Sequence, residues 1–255
     1  MDRPDNVAGW DALADAYQEH VGWVDEELTW GLRCPPEREV QLIGDVVDGA
    51  RTVVIGCGAG EDLVALARAG AGPLTGVDPS ARQLVHARRR CADAGVAADL
   101  VCTGAQDLAG VADGVVDLVV SVQAFDYLHD PAPAVAEVRR VLRPGGVLAF
   151  SVLHPADVCT GEDPPHGWHT SWFRGEHRWV WDGLADEDVP FASWFRSASE
   201  WFTWCTDGGL VVERLLEPAP VDDPRWIERG WLSRAGYAKG DLVPSTILVR
   251  ARRPS

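Results

Sequence analysis

The sequence predicts an α/β fold: a doubly wound, mostly parallel seven-stranded sheet preceded by helices and interrupted by a tryptophan-rich insertion. Three observations carry this. Short β-branched runs alternate with amphipathic helical stretches from residue 51 to residue 152. The connections between them are short, as parallel strands with crossover helices require. The first strand runs into the alternating glycines Gly56, Gly58 and Gly60, which open a helix.

The elements follow in order. In residues 6–48, Trp10, Leu13, Ala14, Tyr17 and Val21 share one helical face, and a second helix follows Pro35-Pro36 with Val40, Ile43, Val46 and Val47 as its apolar side. Strand one spans 52–56 and its helix 60–69. Strand two spans 74–78, and a helix from Ser80 to Ala94 ends at Gly95. Strands at 98–102 and 117–121 precede a helix from Asp130 to Leu142, stopped by Pro144-Gly145-Gly146; strand five spans 147–152. Residues 156–196 break the rhythm and read as irregular. A helix from Ser197 to Thr206, a strand at 210–216, an irregular stretch 218–243 and a last strand at 246–250 complete the chain. The divisions are 1–50, a helical cap; 51–155, a nucleotide-binding core; 156–196, an aromatic insertion or lid; and 197–255, the rest of the α/β core.

With 255 residues, 46% of them hydrophobic, the chain buries a substantial core. A net charge of −16 argues against a nucleic-acid partner, which needs a basic face. The six cysteines are scattered without a CxxC pair, which fits free thiols in a reducing cytoplasm. The opening Met1-Asp2-Arg3-Pro4-Asp5 is not a secretory signal, and no apolar run approaches the about 20 residues that span a bilayer. The expected setting is therefore cytoplasmic, as a monomer or homodimer, with a small-molecule partner and neither membrane nor nucleic acid.

The glycine turn is a cradle for a nucleotide, because missing Cβ atoms let a ligand approach the backbone. A dinucleotide site has the form Gly-x-Gly-x-x-Gly. Here the third glycine comes one residue early, and Glu61 and Asp62 fill the first helical turn, where they would repel a diphosphate but tolerate a ligand carrying ammonium and sulfonium groups. Asp78 ends strand two, 22 residues after Gly56, where a carboxylate can accept from both ribose hydroxyls.

With these residues in place the chain resembles the class I S-adenosylmethionine-dependent methyltransferases, in particular their broad bacterial small-molecule group. The resemblance rests on Val53 to Gly60, on Gly76-Val-Asp-Pro-Ser80, on Thr103-Gly-Ala-Gln-Asp-Leu108, on Val116 to Ser121, and on Glu137 to Gly146. It implies a Rossmann-like methyltransferase fold with the last strand, Thr246–Arg250, antiparallel at the sheet edge. It implies S-adenosyl-L-methionine as cofactor. Gly56, Cys57, Gly58 and Gly60 would hold its methionine part, Asp78 the ribose, Pro79 the adenine face, and Ala105 and Gln106 the adenine edge. Ser121 would offer backbone to the amino-acid end, Tyr17 would close over the cofactor, and Arg33 would pair with its carboxylate. Two positions depart from the family: Val54 and Gly104 stand where relatives commonly carry acids, with Glu61, Gln106 or Asp107 placed to compensate.

Methyl transfer needs chiefly alignment, with a general base where the acceptor is a hydroxyl, phenol or protonated amine. His154, after strand five, is the first candidate and His129, after strand four, the second. Each also reads as a structural histidine, and Tyr17 and Arg33 likewise read as core and surface residues. His166, His169 and His177 with Glu162 and Asp163 lack the spacing of a metal site, so none is expected. Asp163-Pro-Pro-His166 resembles a signature of nucleobase amine methylation but lies past strand five rather than after strand four. Twelve tryptophans include nine from Trp168 to Trp231. They read as a substrate wall, as additional core or as a dimer contact. The expected activity is methyl transfer to a small organic acceptor, aromatic or hydrophobic, of the kind met in specialised metabolism, with oxygen favoured. The alternatives are N-methylation of an amine or peptide, and a non-methylating cofactor-binding homologue such as a cyclase or regulatory protein.

Overall fold

The protein is described from a computed structural model over residues 4–21, 27–160, 167, 170–173, 175–181 and 187–255. Helix α1 (Asn6–Val21) forms where the apolar periodicity predicts it. The second long helix does not. Only one turn, α2 (Glu37–Val40), and a 3-10 turn at Gly44–Val47 are present. The cause is Glu37. Its carboxylate accepts from the backbone N–H of Leu42, Ile43 and Gly44 and from the Trp30 indole. Those donors bend the chain through Gln41 at φ 50°, so the helix cannot propagate.

The alternating core then runs β1 (Thr52–Ile55), α3 (Glu61–Arg68), β2 (Leu74–Asp78), α4 (Ala81–Asp93), β3 (Ala98–Cys102), β4 (Val116–Val122), α5 (Ala132–Val141) and β5 (Leu142–Leu153). β5 starts earlier than its hydrophobic run, because Leu142 already pairs with Val116 before the register shifts to Leu118 and Val147. Beyond it lie α6 (Pro155–Cys159), the hairpin β6 (Glu176–Trp181) and β7 (Val189–Trp194), α7 (Ala198–Asp207), β8 (Val211–Leu216), α8 (Arg225–Glu228), α9 (Arg234–Lys239) and β9 (Thr246–Arg252).

Seven strands form one sheet in the order β3-β2-β1-β4-β5-β9-β8. The first five are parallel, and β9 is antiparallel to both β5 and β8. The last strand is thus antiparallel as expected but is not the edge; β8 takes that place. Neighbouring residues alternate between faces. Val54, Leu118, Val120 and Val147 join Leu63, Leu66 and Leu84 from α3 and α4. Val53, Ile55, Val119 and Phe150 join Val135, Val138 and Trp201 from α5 and α7. Helices therefore cover both faces, as double winding requires.

The aromatic insertion is not irregular throughout. Arg178 and Val180 of β6 are exposed while Trp179 and Trp181 turn inward, the period of a half-buried strand. Trp179 stacks on its cross-strand partner Phe191 at 4.9 Å. Asn6 clamps the hairpin to α1, donating to Ala192 O (2.7 Å) and accepting from Ala192 N (2.9 Å). Leu13, Val189 and Phe191 make a third small core between them.

Candidate functional site

β1 lies between β2, to which the chain turns one way, and β4, to which it turns the other, so the carboxyl ends of β1 and β4 diverge around a crevice. A cavity of about 890 Å³ opens there. Its floor is the glycine turn, Gly56 to Ala59, with Glu61 and Asp62 of α3. One wall is Asp78, Pro79 and Thr103 to Gln106; another is Gln123, Ala124, Phe125 and Tyr127 after β4. α1 covers it with Trp10, Tyr17, Gln18 and His20, and Trp179, Trp181 and Trp231 close the remaining side.

Gly56 has φ 68°, and a Cβ there would lie 2.2 Å from Ala124 Cβ, so the turn after β1 and the turn after β4 meet only without a side chain. Gly60, at φ 87°, lets α3 start against Ala87 of α4, whose nearest atoms stand 3.2 Å from where a Cβ would be.

Asp78 is the hinge of the site. Its Oδ2 accepts from Gly58 N at 2.9 Å and its Oδ1 from Ser80 N at 2.8 Å. Burial nevertheless holds its carboxyl above the usual range, and Asp11 beside it adds to that. Each oxygen keeps a lone pair for a further donor. Ser80 Oγ caps α4 by accepting from Gln83 N and donates to Asp11 Oδ1 of α1 at 2.6 Å. Arg90 makes a second tie: it pairs with Glu61 (2.6 Å) and donates to Ala59 O (2.5 Å) and to Gln18 Oε1 of α1 (2.9 Å). Burial, with the Glu61 charge alongside, pushes the Asp62 carboxyl up to about 7. Burial also raises the Tyr17 phenol and the Cys57 thiol, so both stay protonated at neutral pH.

Of the residues the sequence singles out, Gly56, Cys57, Gly58, Asp78, Pro79, Ala105, Gln106 and Tyr17 meet around this one cavity. Gly60 stands behind it at the start of α3. Ser121 is fully buried within β4, paired to Phe150, and does not line the cavity.

Arg33 and His154 do not line the cavity. Arg33 spends its guanidinium on the C-terminal segment: it pairs with Asp241 (2.7 Å), donates to Val221 O (3.0 Å) and Tyr237 O, and lies over the Tyr237 ring. His154 caps α6. Its Nδ1 accepts from Ala156 N (3.0 Å), so its Nε2 carries the proton and donates to Glu217 (3.0 Å). Both ring nitrogens are engaged away from the cavity, and Trp172 packs on the ring. His129 is exposed and faces Trp194 instead. His177 packs on Phe195, while Glu162, Asp163, His166, Trp168 and His169 lie outside the described residues. Among the described residues no three His, Cys, Asp or Glu converge as metal ligands.

The departures from the family pattern have local causes. Val54 is fully buried in the sheet core with Leu63 and Val120. Gly104 leaves room for the Gln106 amide, which would stand 2.8 Å from a Cβ there.

The chain segment 53–150 matches the model of the methyltransferase domain. That segment, less than half of the chain, is similar to the methyltransferase domain. The ubiquinone biosynthesis O-methyltransferase of Methylococcus capsulatus is 36% identical over 106 residues, 42% of this chain and 44% of that protein. That of Thiobacillus denitrificans is 34% identical over 107 residues, covering 45% of that protein. The chain thus matches less than half the length of these curated relatives. An S-adenosylmethionine-dependent methyltransferase structure from Mesorhizobium loti is 25% identical, with a TM-score of 0.64 over 85% of this chain and 96% of that one. The [4+2]-cyclase SpnF shares the fold at 18% identity, with a TM-score of 0.65 over the whole chain and 98% of its own. The chain therefore shares the fold of these structures. No described helix is long and apolar enough to cross a membrane.

Three parts of the site escape sequence reasoning. Trp10 was legible only as a core position on α1. Trp231 sits in a stretch without periodicity. Gln123 is marked only by its place after β4, yet it has φ 49° and a buried Nε2 with no partner among the described residues. A non-glycine residue in that conformation beside a ligand cavity is where strain collects at functional sites.

Proposed function

We propose that this cavity binds S-adenosyl-L-methionine and serves methyl transfer to an oxygen of a small aromatic molecule. The observation that carries the reading is Asp78: a buried carboxylate at the end of β2, fixed by the N–H groups of Gly58 and Ser80, with acceptor capacity left for two ribose hydroxyls. The residues present fit the cofactor. Gly56 to Gly58 expose backbone at the floor, Pro79, Ala105 and Gln106 line it beside Asp78, and Glu61 supplies a carboxylate near the glycine turn for positive groups. A volume of about 890 Å³ leaves space beyond one nucleoside for an acceptor.

Bound there, the cofactor supplies a methyl group already activated on a sulfonium. The protein's own task is then alignment and exclusion of water. α1 and the hairpin perform the second, held down by Asn6, Asp11 and Gln18. Neither His154 nor His129 lines this space, and both ring nitrogens of His154 are taken by Ala156 and Glu217. Among the described histidines only His20 lines the cavity, its ring 5.3 Å from that of Trp231, and we assign it the acceptor's proton. Gln123, with a free buried amide donor, positions the acceptor oxygen. The six free thiols, five of them buried, suit a reducing cytoplasm.

The test is turnover: the purified protein, labelled S-adenosylmethionine and a panel of catechols and simple phenols. The reading predicts an O-methylated product from at least one, lost in His20→Ala. Binding of the cofactor without transfer to any oxygen acceptor would favour a non-methylating role.

A further inference from the structure

The acceptor side of the cavity has an unusual chemical make-up. Besides Phe125 and Trp226, six aromatic side chains line it: Trp10, Tyr17, Tyr127, Trp179, Trp181 and Trp231. They form one connected cluster. Trp10 meets Tyr17 at 5.3 Å and Tyr127 at 5.9 Å, and Tyr17 meets Trp181 at 5.4 Å and Trp231 at 5.6 Å. The charged side chains lining the same cavity are Glu27, Glu61, Asp62 and Asp78, and among the described residues no lysine or arginine lines it.

Three of these carboxylates are engaged. Glu27 pairs with Arg38, Glu61 with Arg90, and Asp78 with backbone N–H groups. Asp62 has no hydrogen-bond or ion-pair partner among the described residues, and Tyr17 stands close enough to feel its charge. Aromatic faces attract cations, and an unpaired carboxylate beside them adds to the attraction. The same surroundings repel an anion and offer it no charged donor, so a carboxylate or phosphate entering here would lose its hydration without replacement.

We propose that the acceptor compartment selects by charge, taking a flat ring that bears a protonated amine and rejecting the same ring bearing a carboxylate or phosphate. This rests on the methyl-transfer reading above and narrows it to a substrate class. It also separates this site from those built for diphosphate-bearing acceptors, which need cationic donors at the pocket wall.

The experiment is run at pH 8, where the Asp62 carboxyl is ionised, with the full chain and three catechols alike except in charge: dopamine, 4-methylcatechol and 3,4-dihydroxyphenylacetate. S-adenosylhomocysteine binding is measured first by calorimetry, and the catechols are then titrated into the complex. The expected order of affinity is cationic, neutral, anionic, with at least a tenfold gap between the ends that narrows at high salt. Asp62→Asn should shrink that gap severalfold, and Trp181→Leu should weaken all three, with thermal melts confirming that each variant is folded. Should S-adenosylhomocysteine fail to bind, the cofactor reading falls and takes this one with it. If it binds but the anionic catechol binds as well as the cationic one, or if no catechol binds at millimolar concentration, the cofactor reading stands and charge selection is overturned.

Discussion

Arg90 joins three parts that must move together if α1 is to seal the cavity: the glycine turn at Ala59, the start of α3 at Glu61 and the lid helix at Gln18. Replacing it by alanine removes all three contacts and strands Glu61. The pair is partly buried, with side-chain exposures of 20% and 30%, so its worth lies between that of an exposed ion pair and a buried one. A loss of about 2 kcal/mol at pH 8 follows, a fall in Tm of about 4–8 °C for a chain of this size. The loss depends on pH. Burial raises the Glu61 carboxyl above its unfolded value and the Arg90 charge opposes that rise. The neutral acid is therefore favoured in the folded state, a stabilisation complete below about pH 4 and lost as pH climbs through the folded value. Without Arg90 the folded value rises further, so the variant recovers stability as the acid protonates, and the deficit shrinks as the pH falls. Urea melts of both proteins at pH 5 and pH 8, with Arg90→Ala/Glu61→Gln completing the cycle, measure this. An equal loss at both pH values, or no rescue by Glu61→Gln, would refute the account of Glu61 as a carboxylate held charged by Arg90.

Three further outcomes follow from the same geometry. Gly56→Ala places a Cβ against Ala124 at a positive φ and should cost about 2–4 kcal/mol, read from chemical melts. Asp62→Asn should flatten the pH dependence of stability of the ligand-free protein: with the Asp62 carboxyl up at about 7, the native chain loses stability as pH rises from about 4 through 7, and the amide cannot. His154→Ala should lose about 1 kcal/mol through the α6 cap while turnover stays near wild type, whereas removal of a general base would cost about 10²–10⁴-fold in rate.

The alternation of strands and helices and the double winding were legible because local and global signals agree from Thr52 to Leu153: β-branched runs, glycine stops and the Ser80 cap all point the same way. The same holds for the gathering of Gly56 to Gly58, Asp78 and Pro79 around one cavity, since they lie at strand ends where backbone geometry dictates residue type. Long-range partners were not legible. Glu37 ends a helix by bonding forward to residues 42–44, and the apolar spacing of Val40, Ile43 and Val47 carries no trace of that. His154 ends a strand just where a base would be useful, but Glu217, 63 residues away, takes its ring. The aromatic residues of the insertion and beyond divide by tertiary context alone: Trp201 is wholly core, Phe173 stands 93% exposed, and Trp179 and Trp181 wall the cavity.

The central claim is that Asp78 and the glycine turn form an S-adenosylmethionine site. Calorimetric titration of S-adenosylhomocysteine into the wild-type chain and into Asp78→Ala and Asp78→Asn tests it most directly. The account predicts saturable one-to-one binding, weakened at least about tenfold in both variants while they remain folded, because a charge-accepting partner of the ribose is gone. Absence of binding at millimolar concentration, or equal affinity in all three proteins, would contradict it.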